Sequence, residues 1–252
     1  MKALVVCKHP HEQNHPDIHK LLEKSCSKVI YAWKNTLTKK ELDNIDIIIS
    51  IGGDGTALSA SHFIENKPLL AVNSSPETSI GALTTITISQ LKNKLEEIKQ
   101  NKHKTELLER IEVQINDKPI EHLALNDVFI ASEKAYHISK YKIKFNNEQE
   151  EQRSSGLIFS TGTGSTAWFK SAGGSPFSPQ SKFIKMIARE PYQGKNNKPF
   201  EMQNLQINQN EEITIMPSVK SLLAIDSNRE YPLNPEDKIT IKISKHPLKR
   251  II

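Results

Sequence analysis

The run "IISIGGDGTALSA", Ile48 to Ala60, constrains this chain more than any other stretch: a strand-length apolar segment, Ile47 to Ile51, stops at three glycines set around one aspartate and resumes as small residues led by Thr56. A strand that ends in glycines and feeds a helix N-terminus offers free backbone N–H groups and a favourable dipole to a phosphate. A tight turn with positive φ needs one glycine, whereas Gly52, Gly53 and Gly55 occur together. Close approach of a phosphate is therefore the preferred expectation, with Gly52, Gly53, Gly55 and Thr56 as the binding residues. Asp54 then stands as an anion where an anion is to be bound. It must hold a metal or take a hydroxyl proton to be useful there. The structural alternative is an N-cap for the helix at Thr56, a role that Thr56 itself could also fill.

The organisation around this motif is mixed. "KALVVC", "KVIYAW", "DIIISI" and "PLLAVN" read as strands and alternate with helix-like "DIHKLLEKS", "KKELDN" and "TALSASHFI". That alternation argues for a parallel α/β layer. A charged helix over Ser89–Lys102, with Leu91, Leu95 and Ile98 on one stripe, connects to a second region of mostly alternating segments. There "RIEVQIND", "HLALNDVFIAS", "HISKYKIKFN", "GLIFST", "EEITIMPS", "SLLAIDS" and "KITIKIS" read as strands, with turns at Asn116-Asp117 and Asn146-Asn147. Within it "GSTAWFKSAG" and "SKFIKMIARE" look helical, "QGKNNKPFEMQN" reads as a polar loop, and the acids of Glu148–Glu151 as a solvated turn. The fold class expected is α/β: a small doubly wound parallel sheet followed by an antiparallel β-sandwich-like domain.

Composition narrows the function classes. The net charge is +5 and the pI about 9.0. The lysines are scattered among glutamates instead of forming a basic stripe, and aromatic residues make up only 6% of the chain, which argues against nucleic acid and for small anionic ligands. Cys7 and Cys26 are the two cysteines, so a disulfide framework is not expected and a reducing, cytoplasmic setting is. No 18-residue apolar stretch suggests a membrane span. His9, His11, His15 and His19 could suggest a metal site through the i, i+4 pair His15 and His19, but a partly solvated loop is preferred.

Two further motifs carry chemistry. "ALNDVFI" breaks an apolar strand with Asn126-Asp127, a pair able to clamp the hydroxyls or ring nitrogens of a nucleoside; a type I′ turn is the bland alternative. "GLIFSTGTGSTAWFKSAGG" is dense in hydroxyls and ends at Trp168. Gly162, Gly164 and Ala167 match G-x-G-x-x-A in form, yet the segment lies in the β-rich half and no βαβ unit follows, so a dinucleotide fingerprint is disfavoured. A Walker P-loop is excluded because no glycine-rich segment ends in Gly-Lys-Ser or Gly-Lys-Thr.

Together, GGDGT at Gly52–Thr56, the Asn126-Asp127 pair and "SSGLIFSTGTGSTAWFKSAGG" resemble the NAD kinases over Asp46–Gly174, in order and spacing, with weaker likeness beyond. "AVNSSPETSIGAL", "TGTGSTAW" and "AREPY" are similar to the mitochondrial-type branch. The resemblance implies an ATP-phosphate domain over 1–95 rejoined by 236–252, an NAD-binding domain over 96–235, and an active site between them. It implies transfer of the γ-phosphoryl group of ATP to the 2′-hydroxyl of NAD's adenosine ribose, with Mg²⁺ carried on ATP and Asp54 as the catalytic acid. Gly52, Gly53 and Gly55 would approach ATP phosphates. Asn126 and Asp127 would hold adenosine, while Thr166, Ala167, Trp168 and Ser171 line the adenine or nicotinamide ends and Asn73, Arg153, Ser155 and Thr163 complete the NAD set. A homodimer or homotetramer is also expected.

The chain departs from the family pattern in four places. Gly81-Ala82-Leu83-Thr84 stands for Gly-x-Leu-Gly-Phe, Gly162 for a proline, Asp226-Ser227-Asn228 for Asp-Gly-Gln, and Ser155 for an acid that often meets the nicotinamide side. The nearest rival function is a lipid or sugar kinase sharing GGDGT; a second is a non-catalytic NADP sensor, in which Asp54 would have no use.

Overall fold

The computed structural model describes residues 1–8, 16–78, 81–193 and 199–252. His9, His11, His15 and the Gly194–Lys198 part of the expected polar loop lie outside them. The chain forms two units, Met1–Leu108 with Pro247–Ile252, and Glu109–His246.

The first unit is built on a sheet of β1 (Lys2–Cys7), β2 (Lys28–Trp33), β3 (Ile47–Gly52), β4 (Pro68–Asn73), β5 (Ile86–Thr87), β6 (Thr105–Leu108) and β19 (Leu248–Ile251). Their order is β2-β1-β3-β4-β19-β6, with β5 beside β4. All the pairings are parallel except β19 with β6. Every residue of β3 is buried, the continuous apolar run that a strand covered on both faces requires.

Among the described residues three helices cover the sheet: α1 (Pro16–Ser25), α2 (Asp54–Ser61) and α3 (Leu91–Lys99). Leu22 of α1 and Leu91, Leu95 and Ile98 of α3 share one cluster with Val5, Ile49, Ile51 and Val72. Alternate residues of the same strands, Leu4 and Ile48 among them, are equally buried and face the other way, and α2 packs on β1, β3 and β4. From β1 the chain moves outward to β2 and then returns across β1 to β3. The carboxyl ends of β1 and β3 therefore border the point where strand order reverses, the crevice where open α/β sheets bind ligands. β3 delivers Gly52 to that point. The expected "KKELDN" helix is a single 3₁₀ turn at Lys39–Leu42, and His19 on α1 lies 4.5 Å from Tyr31, ring centre to ring centre.

The second unit is a sandwich of two six-stranded sheets. One runs β11 (Glu148–Ser154), β10 (Ser139–Phe145), β15 (Glu212–Pro217), β18 (Ile239–Ile243), β7 (Ile111–Ile115), β8 (Lys118–Pro119); the other β14 (Asn204–Asn208), β13 (Phe183–Ala188), β12 (Leu157–Ser160), β9 (Asp127–Ser132), β16 (Ser221–Ile225), β17 (Arg229–Leu233). Inward residues of both, such as Val113, Ile143, Ile215 and Ile241 from the first and Ile130, Phe159, Met186 and Leu223 from the second, form one core. The expected asparagine turns are present: Asn116, Asp117, Asn146 and Asn147 all have positive φ, as a type I′ hairpin requires.

Two sequence expectations fail here. "SKFIKMIARE" is not a helix but contains strand β13, flanked by β12 and β14; Phe183, Ile184 and Ile187 have helical spacing, yet the strand buries Ile184 and Met186 inward and Ile187 on the opposite face. Glu148–Glu151 is not the turn. It starts β11, and the reversal is made by Asn146-Asn147 just before it. "GSTAWFKSAG" is a 3₁₀ turn, Gly164–Thr166, followed by the one-turn helix α4 (Trp168–Ser171).

Phe159 is fully buried between the two sheets. Phe159→Ala is expected to cost about 3–5 kcal/mol of stability, seen as a lower urea midpoint for loss of β-sheet circular dichroism.

Candidate active site

At the end of β3, Gly52 has φ +153° and a Cβ there would fall 2.4 Å from Thr56 Oγ1. This glycine lets the buried Thr56 pack across the turn. Gly53 is the N-cap of α2, and its carbonyl accepts the N–H groups of Thr56 at 3.0 Å and Ala57 at 3.3 Å. Neither Asp54 nor Thr56 caps the helix, so the N-cap alternative for both does not hold. Asp54 is instead the first helical residue, and its carboxylate leaves the helix: Oδ2 accepts from the Ala82 N–H at 2.9 Å and Oδ1 from the Leu83 N–H at 2.8 Å. Among the described residues, and apart from its chain neighbours and the backbone of its own helix, a Cβ on Gly55 would meet no atom within 4 Å. Packing does not demand glycine there, unlike at Gly52.

Asn73 ends β4 and is nearly buried. Its Oδ1 accepts the Ser75 N–H at 3.0 Å, and its Nδ2 lies 3.0 Å from where a Cβ on Gly81 would be. Gly81 takes φ +70°, so Asn73 and Gly81 shape the segment that brings Ala82 and Leu83 to Asp54.

In the second unit the Asn126-Asp127 pair is held from a distance. Asp226 accepts the N–H groups of Leu125 at 2.9 Å, Asn126 at 2.8 Å and Asp127 at 2.9 Å, and its own N–H bonds the Asp127 carbonyl at 3.0 Å. Neither Asn126 nor Asp127 has positive φ, which rules out the type I′ turn there; Asp226 and Ser227 do have it, at 50° and 53°. The left-handed pair thus sits in the hairpin between β16 and β17, where Ser227 replaces the family's usual glycine.

With its backbone satisfied, the pair presents side chains that are not. Asn126 Oδ1 and Asp127 Oδ1 are buried without a hydrogen-bond partner among the described residues, and so is Thr163 Oγ1. Burial pushes the Asp127 carboxyl up to about 7, and the charge of Asp226 adds in the same direction.

The hydroxyl-rich loop divides into inner and outer members. Thr161 Oγ1 donates to the Leu125 carbonyl at 2.5 Å and accepts from the Gly164 N–H at 3.1 Å; Ser165 Oγ donates to the carbonyls of Gly162 and Phe177 and accepts from the Phe177 N–H. These fasten the loop. A Cβ on Gly164 would lie 2.2 Å from the Asn126 carbonyl oxygen, and one on Gly162 1.9 Å from that of Ser178. The two glycines therefore serve backbone packing, not a dinucleotide fingerprint, and Ser178 leaves no room for the family's proline at 162. Thr166, Ala167 and Ser171 are exposed. Trp168 packs on Phe129 at 4.5 Å between ring centres, and the Arg189 guanidinium lies 5.5 Å over Trp168 and 5.6 Å over Phe129.

Arg153 is exposed on β11 and its carbonyl accepts the Tyr192 N–H at 2.8 Å. Ser155, where the family often has an acid, donates its hydroxyl to the carboxylate of Glu190 and its N–H to the Arg189 carbonyl at 2.9 Å. A carboxylate therefore stands beside this position after all, supplied by Glu190 just past the end of β13. Asp226, Arg189 and Glu190 are the residues sequence reasoning missed as site members. "AREPY" and Asp226-Ser227-Asn228 were visible only as variants, because their partners lie far away in sequence.

The chain matches the ATP-NAD kinase N-terminal domain over residues 7–103 and the ATP-NAD kinase C-terminal domain over residues 95–252. It is 29% identical to an NAD kinase of Methanosarcina acetivorans over 210 residues, 81% of this chain and 72% of that protein. The fold is similar to the crystal structure of an NAD kinase from Archaeoglobus fulgidus in complex with ATP, with TM-score 0.78 and 24% identity over 100% of this chain and 94% of the other. Yeast NADH kinase complexed with NADH gives TM-score 0.78 and 18% identity, over 100% of this chain and 83% of the other.

The Asp127 shift has a consequence for stability. Between its ordinary value of 3.8 and about 7, the folded chain keeps a proton that the unfolded chain has released, so this group's contribution falls as pH rises across that window and is constant above it. The melting temperature of Asp127→Asn relative to the parent is expected to be higher at pH 8 than at pH 5, measured by thermal melts at both pH values.

Proposed function

The chain belongs to the ATP-NAD kinase family and phosphorylates NAD with ATP; we propose that the acceptor is the 2′-hydroxyl of the adenosine ribose and that Asp54 accepts its proton. The observation that carries this is that the Asp54 carboxylate, at the amino end of α2, is spent on no helix cap and is fixed through both oxygens by two backbone N–H groups. An oriented carboxylate can take the proton as the 2′-oxygen bonds to the γ-phosphorus. The bond from that phosphorus to the β–γ bridging oxygen breaks, and ADP leaves with its electrons. Most of the acceleration in such transfers comes from positioning and charge neutralisation.

Gly55, with open space where a side chain would be, and the amino end of α2 suit the ATP phosphates, with Gly52, Gly53 and Thr56 shaping the turn. Mg²⁺ fits as an ion carried on ATP, where it would neutralise phosphate charge with phosphate oxygens and water as its ligands.

For NAD, the buried oxygens of Asn126, Asp127 and Thr163 that lack partners are the groups that adenosine would satisfy. Arg153, Ser155 with Glu190, Thr166, Ala167, Trp168 and Ser171 form the remaining face, and Asn73 acts through the loop it shapes. The Glu190 carboxylate favours the cationic nicotinamide of NAD over the neutral ring of NADH. A cytoplasmic setting is supported by the use of both cysteines, Cys7 and Cys26, as buried core residues. A homodimer or homotetramer rests on the family resemblance alone.

The assay is NADP formation from NAD, ATP and Mg²⁺. Asp54→Asn is expected to lower kcat by about 10²–10⁴-fold; a near-parental rate would remove Asp54 from the chemistry. Thr163→Val is expected to raise the KM for NAD several-fold while leaving the melting temperature of the free protein unchanged or higher, since it deletes a buried hydroxyl that has no partner.

A further inference from the structure

Arg250 lies on β19, two residues from the end of the sequence, where the antiparallel register sets it opposite Glu106 of β6. Its Nε donates to Glu106 Oε1 at 2.8 Å, with the second nitrogen of the same edge at 2.5 Å. Both side chains are largely buried, at 13% and 17% exposure, so the guanidinium is fixed in orientation as well as position. The remaining nitrogen points at the segment that holds Asp54. It donates to the carbonyls of Ala82 at 3.2 Å and Leu83 at 3.0 Å.

The Ala82 carbonyl and the Leu83 N–H belong to one peptide group. That group accepts from Arg250 on one side and donates to Asp54 Oδ1 on the other. A cation on the carbonyl polarises the peptide and strengthens its N–H as a donor, while the second carbonyl contact fixes the tilt of the next peptide. From Glu106 the chain of contacts runs through Arg250 and the 82–83 peptide to the Asp54 carboxylate, all within the first unit.

We infer that Arg250 is a positioning residue for phosphoryl transfer, setting the orientation of the Asp54 carboxylate through the Ala82–Leu83 peptide. The inference rests on the assignment of Asp54 as the proton acceptor. Arg250 touches no reacting atom in this scheme. Its loss should therefore appear in kcat and vanish when Asp54 can no longer take the proton.

The test is a double-mutant cycle in the NADP-forming assay, read by single turnover at saturating ATP and NAD. Arg250→Gln is expected to lower the rate by about tenfold or more while changing the KM for each substrate less than twofold. In the Asp54→Asn background the same substitution is expected to change the residual rate less than twofold. Equal rate losses in both backgrounds, a loss confined to KM, or a parental rate for Arg250→Gln would each overturn the positioning role. Arg250→Lys enters the same cycle in case the glutamine variant does not fold: one ammonium cannot span Glu106 and two carbonyls, so it should show a loss that Asp54→Asn again abolishes. A parental rate for Asp54→Asn alone would instead refute the assignment of Asp54, a result separate from any failure of Arg250.

Discussion

One carboxylate, Asp226, collects the N–H groups of Leu125, Asn126 and Asp127, and the loop face of the second unit is arranged around that contact. Three consecutive buried donors have no ladder partner where β9 begins; left unpaired they would cost about 1–3 kcal/mol each. With Asp226 in place the backbone there is free to bend, the Asn126 carbonyl turns toward Thr161 N–H at 3.0 Å, and the hydroxyl-rich loop fastens onto it through Thr161 and Gly164. The polar oxygens left without a partner among the described residues are those of Asn126, Asp127 and Thr163, the groups proposed above to meet NAD.

The first unit solves a related problem in the opposite sense. There the backbone of Ala82 and Leu83 serves a carboxylate, Asp54, and a buried ion pair stands behind that backbone. In both units a charged side chain and a short run of peptide groups define each other, so neither partner alone carries the geometry. Glycine is used in two ways beside these contacts. At Gly52, Gly162 and Gly164 the protein itself fills the space that a side chain would need, whereas at Gly55 it does not.

The architecture was legible wherever burial imposes a period. β3 reads as a central parallel strand because both of its faces are covered, and the strands of β7, β10, β15 and β18 read through their alternation of inward isoleucines with polar residues. β13 did not, since Ile184 and Ile187 bury side chains on opposite faces and, together with the half-buried Phe183, imitate a helical stripe. β11 was hidden by its acids: on this edge strand Glu151 faces solvent, while Glu150, on the face of the buried Gln152 and Ser154, accepts the N–H groups of Glu201 and Met202. Asp54, Asn126, Asp127 and the loop after Ser160 stood out as residue types out of place in apolar surroundings. Their supports did not. Asp226 lies about a hundred residues from the pair it holds, and Arg250 reaches Ala82 and Leu83 across 168 and 167 residues, distances at which no local pattern survives.

The strand β19 gives this chain an order of assembly. It enters the first sheet between β4 and β6, so during synthesis the strands that flank it must wait, with backbone groups unpaired, until residues 248–251 have left the ribosome. The second unit is contiguous in sequence and can form its core before then; the first is closed by a contact of very high sequence separation, a slow step in folding. The same strand carries Arg250. A nascent chain thus acquires the support for Asp54 only at the moment this sheet is completed, so the site and the sheet that holds it close in one step.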